Sequence, residues 1–335
     1  MNQSKFSLAD VLTLLSVLVF SFVSFLGANF LNINEEKVWG MSYTTGCIMM
    51  AVFVFGLLFA TAYGARLFKR ATQNFKTNFI FEILFILLFV LFAIFFTTKS
   101  SPFVHYFTVN GQKSEINSKL QTSISQAEEL FSNYENYADN RKKLYENKLR
   151  SVVKAKGINP KEYSEYGFKN NGVSVEIQIN KKMFTVNADL FPTNYSDTVS
   201  NKGIKEVATK WLKDSKEITN SWKPIGVVGV VKNVEKNSTE WLNTLVALSK
   251  VREQGEQAND FVYSLAFNDV KSNLSTPKSP TPASIIFAVV AYVFMMFSWF
   301  VTYRSSKSKC RFKHLLGLLF PKKNKEANNK YNIKY

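Results

Sequence analysis

Four long runs without charged residues constrain this chain more than any other feature of its sequence. They occupy residues 11–34, 38–65, 77–98 and 279–303, and Glu82 in the third run is the one exception. A membrane-spanning helix takes about 20 apolar residues, so each run is long enough to cross a bilayer. The sequence also contains 31 Phe among 335 residues, which a soluble domain of this size could not readily bury. The runs exclude a soluble cytoplasmic enzyme and predict a polytopic α-helical membrane protein with four transmembrane helices, at about 11–31, 45–65, 79–97 and 283–303.

The distribution of charge between the runs predicts the orientation of the spans. The loop 66–76 carries a net charge of +4 and the tail 304–335 carries +9, whereas the loop 35–37 carries −1. Lys and Arg in short loops mark the cytoplasmic side, and long domains translocate largely regardless of their charge. We therefore expect both termini in the cytoplasm and residues 98–282 outside. The first run exceeds the ~7–15 apolar residues of a signal peptide, so we expect it to be retained.

Cysteine usage predicts the compartment. Cys47 lies in the second run and Cys310 in the tail, and the segment 99–282 has none. That segment must fold without disulfides, on which animal secreted domains of similar size often depend. We therefore expect a bacterial inner membrane, with a mainly helical α+β periplasmic domain inserted between the third and fourth spans, after the transmembrane region 1–98.

Periodicity predicts the elements of this periplasmic domain, 99–282. Apolar residues recur at steps of three and four from Leu120 to Val152, as in a coiled coil, on a face that could pair with a second copy or be buried in its own domain. Strict alternation from Val173 to Asn180 is typical of a half-buried strand. The glycine-containing run 225–231 is interpreted as a buried strand. The predicted elements are a coiled-coil-like helix 113–155, a hairpin 173–187, and helices 204–222 and 238–267.

Two features within the spans are candidate sites. Gly56, Ala60 and Gly64 lie four residues apart on one face of the second span, and such faces let helices approach closely. We expect helix packing there, inside the bundle or between subunits. Glu82 is the one ionisable residue within a predicted span, and intramembrane carboxylates are functional candidates because burying their charge is costly. We favour a structural role for Glu82, in reach of headgroups or a neighbouring cation, over an ion or proton relay.

The tail predicts binding to lipid headgroups. Anionic headgroups attract juxtamembrane cations at ~1 kcal/mol each. Nucleic acid is not an expected partner, because the chain has 35 Lys and 7 Arg and base recognition relies on Arg. The cations assigned to this role are Arg304, Lys307, Lys309, Arg311 and Lys313.

Residues that carry catalysis are scarce. The two histidines, His105 and His314, fall on opposite sides of the predicted membrane, and no phosphate-binding loop, serine elbow or Cys-x-x-Cys occurs. We expect no enzymatic activity, no cofactor and no metal. The sequence favours a scaffold or interaction subunit of a bacterial envelope complex, present as a homo-oligomer or with a membrane-complex partner. The alternatives are a subunit of an oligomeric channel or transporter, and a signal transducer that acts through a separate cytoplasmic partner.

Overall fold

The computed structural model describes residues 7–71, 75–267 and 269–304, which are mostly helical and fall into two compact units. The first comprises the chain up to Ala28, Thr45–His105 and the chain from Ser279 onward, and we call it the bundle unit. The second comprises Asn29–Thr44 and Tyr106–Lys278, and we call it the insert unit. The tail cations Lys307, Lys309, Arg311 and Lys313 lie outside the described residues.

Three helices are long and apolar enough to cross a membrane. They are α1 (Leu8–Leu31), α2 (Tyr43–Arg70) and α3 (Phe75–Phe95), and they correspond to the first three predicted spans, with α3 ending two residues before the predicted end of the third. The short helix α4 (Pro102–Gly111) was not predicted. The described helices are therefore compatible with a membrane protein.

The fourth apolar run does not form one long helix. It forms α11 (Pro282–Met295) and α12 (Phe297–Val301), separated at Met296, whose ψ of 0° departs from the helical value of about −42°. The 14 residues of α11 span about 21 Å, less than the ~30 Å hydrocarbon core of a bilayer. A fourth helix of spanning length is thus not confirmed among the described residues.

The insert unit is organised around one long helix, α5 (Lys113–Lys154), which covers the predicted segment 113–155. One face of α5 is apolar along almost its whole length, and helices from the rest of the unit pack on that face. The apolar seam is therefore occupied within the chain and does not form a two-stranded coiled coil. The other elements are the hairpin β1 (Lys37–Val38)–β2 (Met41–Ser42), α6 (Pro160–Glu165), α7 (Val175–Leu190), α8 (Ile204–Asn220), α9 (Pro224–Ser249) and α10 (Val270–Ser275).

Two predicted strand elements are helical, which corrects the α+β description. The hairpin expected at 173–187 is replaced by α7, because the Oγ of Ser174 accepts a hydrogen bond from the Ile177 N–H at 3.3 Å and so caps the helix. The strand expected at 225–231 is the first part of α9. Its Gly226 allows α9 to approach α8 closely, since a Cβ at that position would lie 2.6 Å from Ile218.

The helix predicted at 238–267 ends early. Helix α9 stops at Ser249, and residues 250–267, which we call the strap, continue without helix. Gly255 in the strap has a φ of +79°, a left-handed conformation that glycine adopts readily and that interrupts a helix. The strap is anchored on α5 by contacts described below.

Candidate functional site

Asp10, in the first turn of α1, is the centre of a buried polar cluster in the bundle unit. Its Oδ2 lies 2.7 Å from Nη2 of Arg66 on α2, and its Oδ1 accepts a hydrogen bond from the Ser298 hydroxyl on α12. The Ser7 N–H also donates to Oδ2, at 2.7 Å, as in a helix capping box. Asp10 is 1% exposed and Arg66 is 2% exposed. The cluster therefore joins α1, α2 and α12 through one buried ion pair.

Glu82, on α3, forms a second buried ion pair in the same unit. Its Oε2 lies 2.6 Å from Nη1 of Arg304, and its Oε1 accepts from Nη2 of Arg304 at 2.8 Å and from Nε1 of Trp299 at 3.0 Å. Lys69, on α2, donates from Nζ to the Trp299 carbonyl at 2.7 Å and lies over the Trp299 ring. Glu82 is thus paired with a neighbouring cation, Arg304. Arg304, predicted to bind headgroups, is engaged by Glu82, because a carboxylate that is 1% exposed needs a paired charge.

These two pairs include every Asp and Glu of the bundle unit that the structure describes. Together with Lys69 they connect all four of its apolar segments: α1, α2, α3 and the α11–α12 segment. Removing one partner of a buried ion pair typically costs 3–5 kcal/mol, because the other charge is left uncompensated. The arrangement can fix helices relative to one another.

The sequence prediction missed Asp10 and Arg66, because both residues lie just outside the ends of the uncharged runs. A signal for their pairing was present, since the predicted orientation places both residues at the same membrane boundary. Opposite charges at one boundary of adjacent spans are candidates for pairing.

The small-residue face of α2 has two different environments. A Cβ on Gly64 would lie 2.5 Å from the ring of Phe85 on α3, so this glycine allows a close helix–helix approach. Gly56 and Ala60 are exposed, and a Cβ on Gly56 would meet no atom within 4 Å. Leu58, between them in sequence, is 0% exposed. Within the chain, therefore, Gly64 and Leu58 contribute to packing, and Gly56 and Ala60 face outward.

In the insert unit, Arg141 anchors the strap to α5. Its Nη1 donates to the Ser249 carbonyl at 2.7 Å, and its Nη2 donates to Oε2 of Glu256 at 2.8 Å. Further bonds join Arg141 to the Val251 carbonyl and to the second carboxylate oxygen of Glu256. The Arg141 and Glu256 side chains are 2% and 1% exposed. This cation, on the mainly apolar face of α5, is thus a buried contact of α5 with the strap.

Tyrosines on either side of Arg141 extend this contact. The hydroxyl of Tyr137 donates to the Asn259 carbonyl at 2.6 Å, and that of Tyr145 donates to the Gln254 carbonyl at 3.0 Å. Burial raises the pKa of Tyr145, so its hydroxyl remains protonated and able to donate. Side chains on one face of α5 therefore hold the strap largely by hydrogen bonds to the main-chain carbonyls of the strap.

The described residues offer no support for a metal centre. They contain no group of three or more His, Cys, Asp or Glu placed to hold an ion. His105 is 1% exposed, and His314 lies outside the described residues.

Comparison of the chain with protein-family models, with curated proteins and with solved structures finds no match. Its function is therefore inferred from its own residues.

Proposed function

We propose that this protein is a non-enzymatic scaffold or interaction subunit of a bacterial inner-membrane complex, which docks its partners through the insert unit on the periplasmic side. The observation that supports this most is the engagement of both described carboxylates of the bundle unit, Asp10 and Glu82, by arginines. A bundle fixed by such pairs is suited to anchoring a folded domain.

The same pairs argue against a relay through Glu82. A proton relay must release and regain its proton, and an ion site must exchange its ligand. Both oxygens of Glu82 lie in ion-pair contact with Arg304 and Oε1 also accepts from Trp299, although Oε2 makes no hydrogen bond among the described residues. A water-filled path also needs polar lining, whereas the exposed surfaces of α1, α2 and α3 carry mainly large apolar side chains.

A channel or transporter subunit is the second candidate, and Arg66 is the observation that favours it. Its Nε and Nη1 are buried without a hydrogen-bond partner among the described residues. Buried donors of this kind can hold a water molecule or an anion. The carboxylate pairs favour the scaffold.

Planar-bilayer recordings on the full-length protein separate the two functions. For a scaffold, we expect bilayers containing the native protein, Glu82→Gln or Arg66→Gln to be electrically silent. Lys76→Gln is the matched control, because Lys76 is an exposed cation near the start of α3. Reproducible currents that Arg66→Gln or Glu82→Gln alters and Lys76→Gln leaves unchanged would establish the second candidate.

A positive test of the scaffold uses cross-linking in intact cells of the native host. The cross-linked peptides should link the insert unit reproducibly to a distinct envelope protein, at sites such as the exposed face of α7. Cross-links confined to the chain itself would contradict a docking role. The tail cations Lys307, Lys309, Arg311 and Lys313 are proposed to add headgroup binding on the cytoplasmic side.

A further inference from the structure

The last part of the strap, residues 261–267, has the burial pattern of a β-strand but belongs to no sheet. Alternate side chains are buried or half-buried, three of the four in or against the core of the insert unit, and the side chains between them are exposed. A period of two is the signature of extended backbone. The inward side chains are Phe261, Tyr263, Leu265 and Phe267, and the outward ones are Val262, Ser264 and Ala266.

The main chain of residues 262–266 has no partner in the described part of the protein. None of its N–H or C=O groups takes part in a hydrogen bond there, although the preceding Phe261 N–H donates to the Ser249 hydroxyl at 3.0 Å. Buried main-chain groups are almost always paired, so these groups are open to water or to another chain. They form an open strand edge, held on the insert unit by its inward side chains.

This edge lacks the protection that natural edge strands carry. Monomeric proteins protect exposed edges with charges, Pro or bulges. Residues 261–267 (Phe-Val-Tyr-Ser-Leu-Ala-Phe) contain no charge, no Pro and no Gly, in a chain of which 20% of residues are charged. Val262 is 87% exposed on the outer face. Such a segment is a template for pairing with a second strand.

We propose that residues 261–267 pair antiparallel with the same segment of a second copy, with Ser264 opposite Ser264. An open strand edge is complementary to another open edge, and the second copy presents an identical one. A two-fold axis then satisfies both edges at once. Val262 of each copy lies opposite Ala266 of the other in this register, so a larger outward side chain always meets a small one. This inference goes beyond the scaffold function and does not depend on it.

Disulfide trapping in the full-length protein in membranes tests the register. In a Cys47→Ala, Cys310→Ser background, Ser264→Cys should form roughly tenfold more linked dimer than Ser164→Cys, because directly opposite Cβ atoms lie about 4.5–5.5 Å apart and a small movement brings them to the roughly 3.5–4.5 Å of a disulfide. Ser164 is an exposed serine on α6 and serves as the matched control. Val262→Cys mixed with Ala266→Cys should link better than either variant alone. Trapping of Ser264→Cys no greater than that of Ser164→Cys would overturn the proposal.

Charge variants at the same position give an independent test. Ser264→Lys and Ser264→Glu should each lower the dimer fraction, because like charges would meet across the axis, and an equimolar mixture should restore it. Ser264 is exposed, and its main chain has no partner to lose. At a concentration low enough for the native protein to be monomeric, the thermal unfolding of both variants should therefore match that of the native protein. The native chain could instead prove to be monomeric and bound to a different protein that both variants fail to bind. The edge would then pair with that protein, and the second-copy proposal would fail.

Discussion

Arg141 of α5 and Glu256 of the strap form a buried two-pronged ion pair although 115 positions separate them in sequence. Breaking it should destabilise the insert unit. We expect Glu256→Gln to lower the free energy of unfolding by about 3–5 kcal/mol, because the Arg141 charge would remain buried without its partner. Thermal and denaturant unfolding followed by tryptophan fluorescence would measure this change.

The control for that variant is Glu176→Gln, which removes the exposed pair between Arg150 and Glu176. Exposed pairs contribute about 0–1 kcal/mol, so this variant should unfold close to the native protein. Equal effects of the two substitutions would contradict the role assigned to Arg141.

The pair of Asp10 and Arg66 should stabilise the bundle unit. Asp10→Asn should lower the melting temperature in detergent, since it leaves the Arg66 charge uncompensated at 2% exposure. The charge swap Asp10→Arg with Arg66→Asp should recover part of the loss. Glu36→Gln, at an exposed carboxylate, is the control. No loss in Asp10→Asn would show that the pair does not hold the helices.

Substitutions at two neighbouring positions of α2, one buried and one on the small-residue face, should affect stability differently. Leu58→Ala should lower the free energy of unfolding by about 2–5 kcal/mol, because it leaves a cavity in place of a fully buried side chain. Ala60→Leu should leave the stability of a single chain unchanged, because Ala60 is exposed. Thermal unfolding and the size of the protein on native gels would test both expectations. A lower melting temperature for Ala60→Leu at unchanged size would contradict the exposed position of that residue.

Glu206 should make stability depend on pH. The hydrogen bond from the Ser196 hydroxyl, 2.6 Å from Oε1, lowers the pKa of Glu206 below its ordinary value of 4.5. A lowered folded-state pKa stabilises the fold above the unfolded-state pKa, and this contribution is lost as the pH falls through the folded-state pKa. Unfolding measured across pH should therefore show a gap between native protein and Glu206→Gln that is constant at neutral pH and shrinks in acid. A gap that widens in acid would contradict the assignment.

The charge distribution predicts the orientation in the membrane. A reporter active only in the cytoplasm should work when fused after Lys76 or Lys325 and fail after Gly157 or Lys232. The reason is that the cationic segments 66–76 and 304–335 are expected to be retained inside. Activity of a fusion after Gly157 would reverse the assignment of the insert unit to the periplasm.

The apolar helices α1, α2 and α3 could be predicted from the sequence, because length and lack of charge are local properties. The segment 173–187 could not be assigned from its alternation alone. Its alternating residues also include Val175 and Ile179, which share one helical face with Val186 and Leu190. The same residues therefore fit both the two-residue period of a strand and the 3.6-residue period of a helix. Burial on α5 and the Ser174 cap favour the helix.

The candidate site was predictable only in part. The sequence singled out Glu82 and predicted that it reaches headgroups or a neighbouring cation, but its partner Arg304 is 222 positions away. The strap was harder to predict, since the apolar residues from Phe261 to Leu265 also fit helical spacing. Its conformation depends on Arg141, Tyr137 and Tyr145, whose contacts arise only in the folded unit.

The buried contact between Arg141 and Glu256 also sets an order of events during synthesis. The 115 positions between these residues take about 6–23 s to translate at 5–20 residues per second. During that interval the part of α5 around Arg141 has been synthesised, whereas the strap that covers it does not yet exist. The nascent chain therefore passes through a period in which this part of α5 lacks its buried partner and is open to premature association. Slowing translation between α7 and α9 should lengthen that period and increase aggregation without any change in the protein sequence.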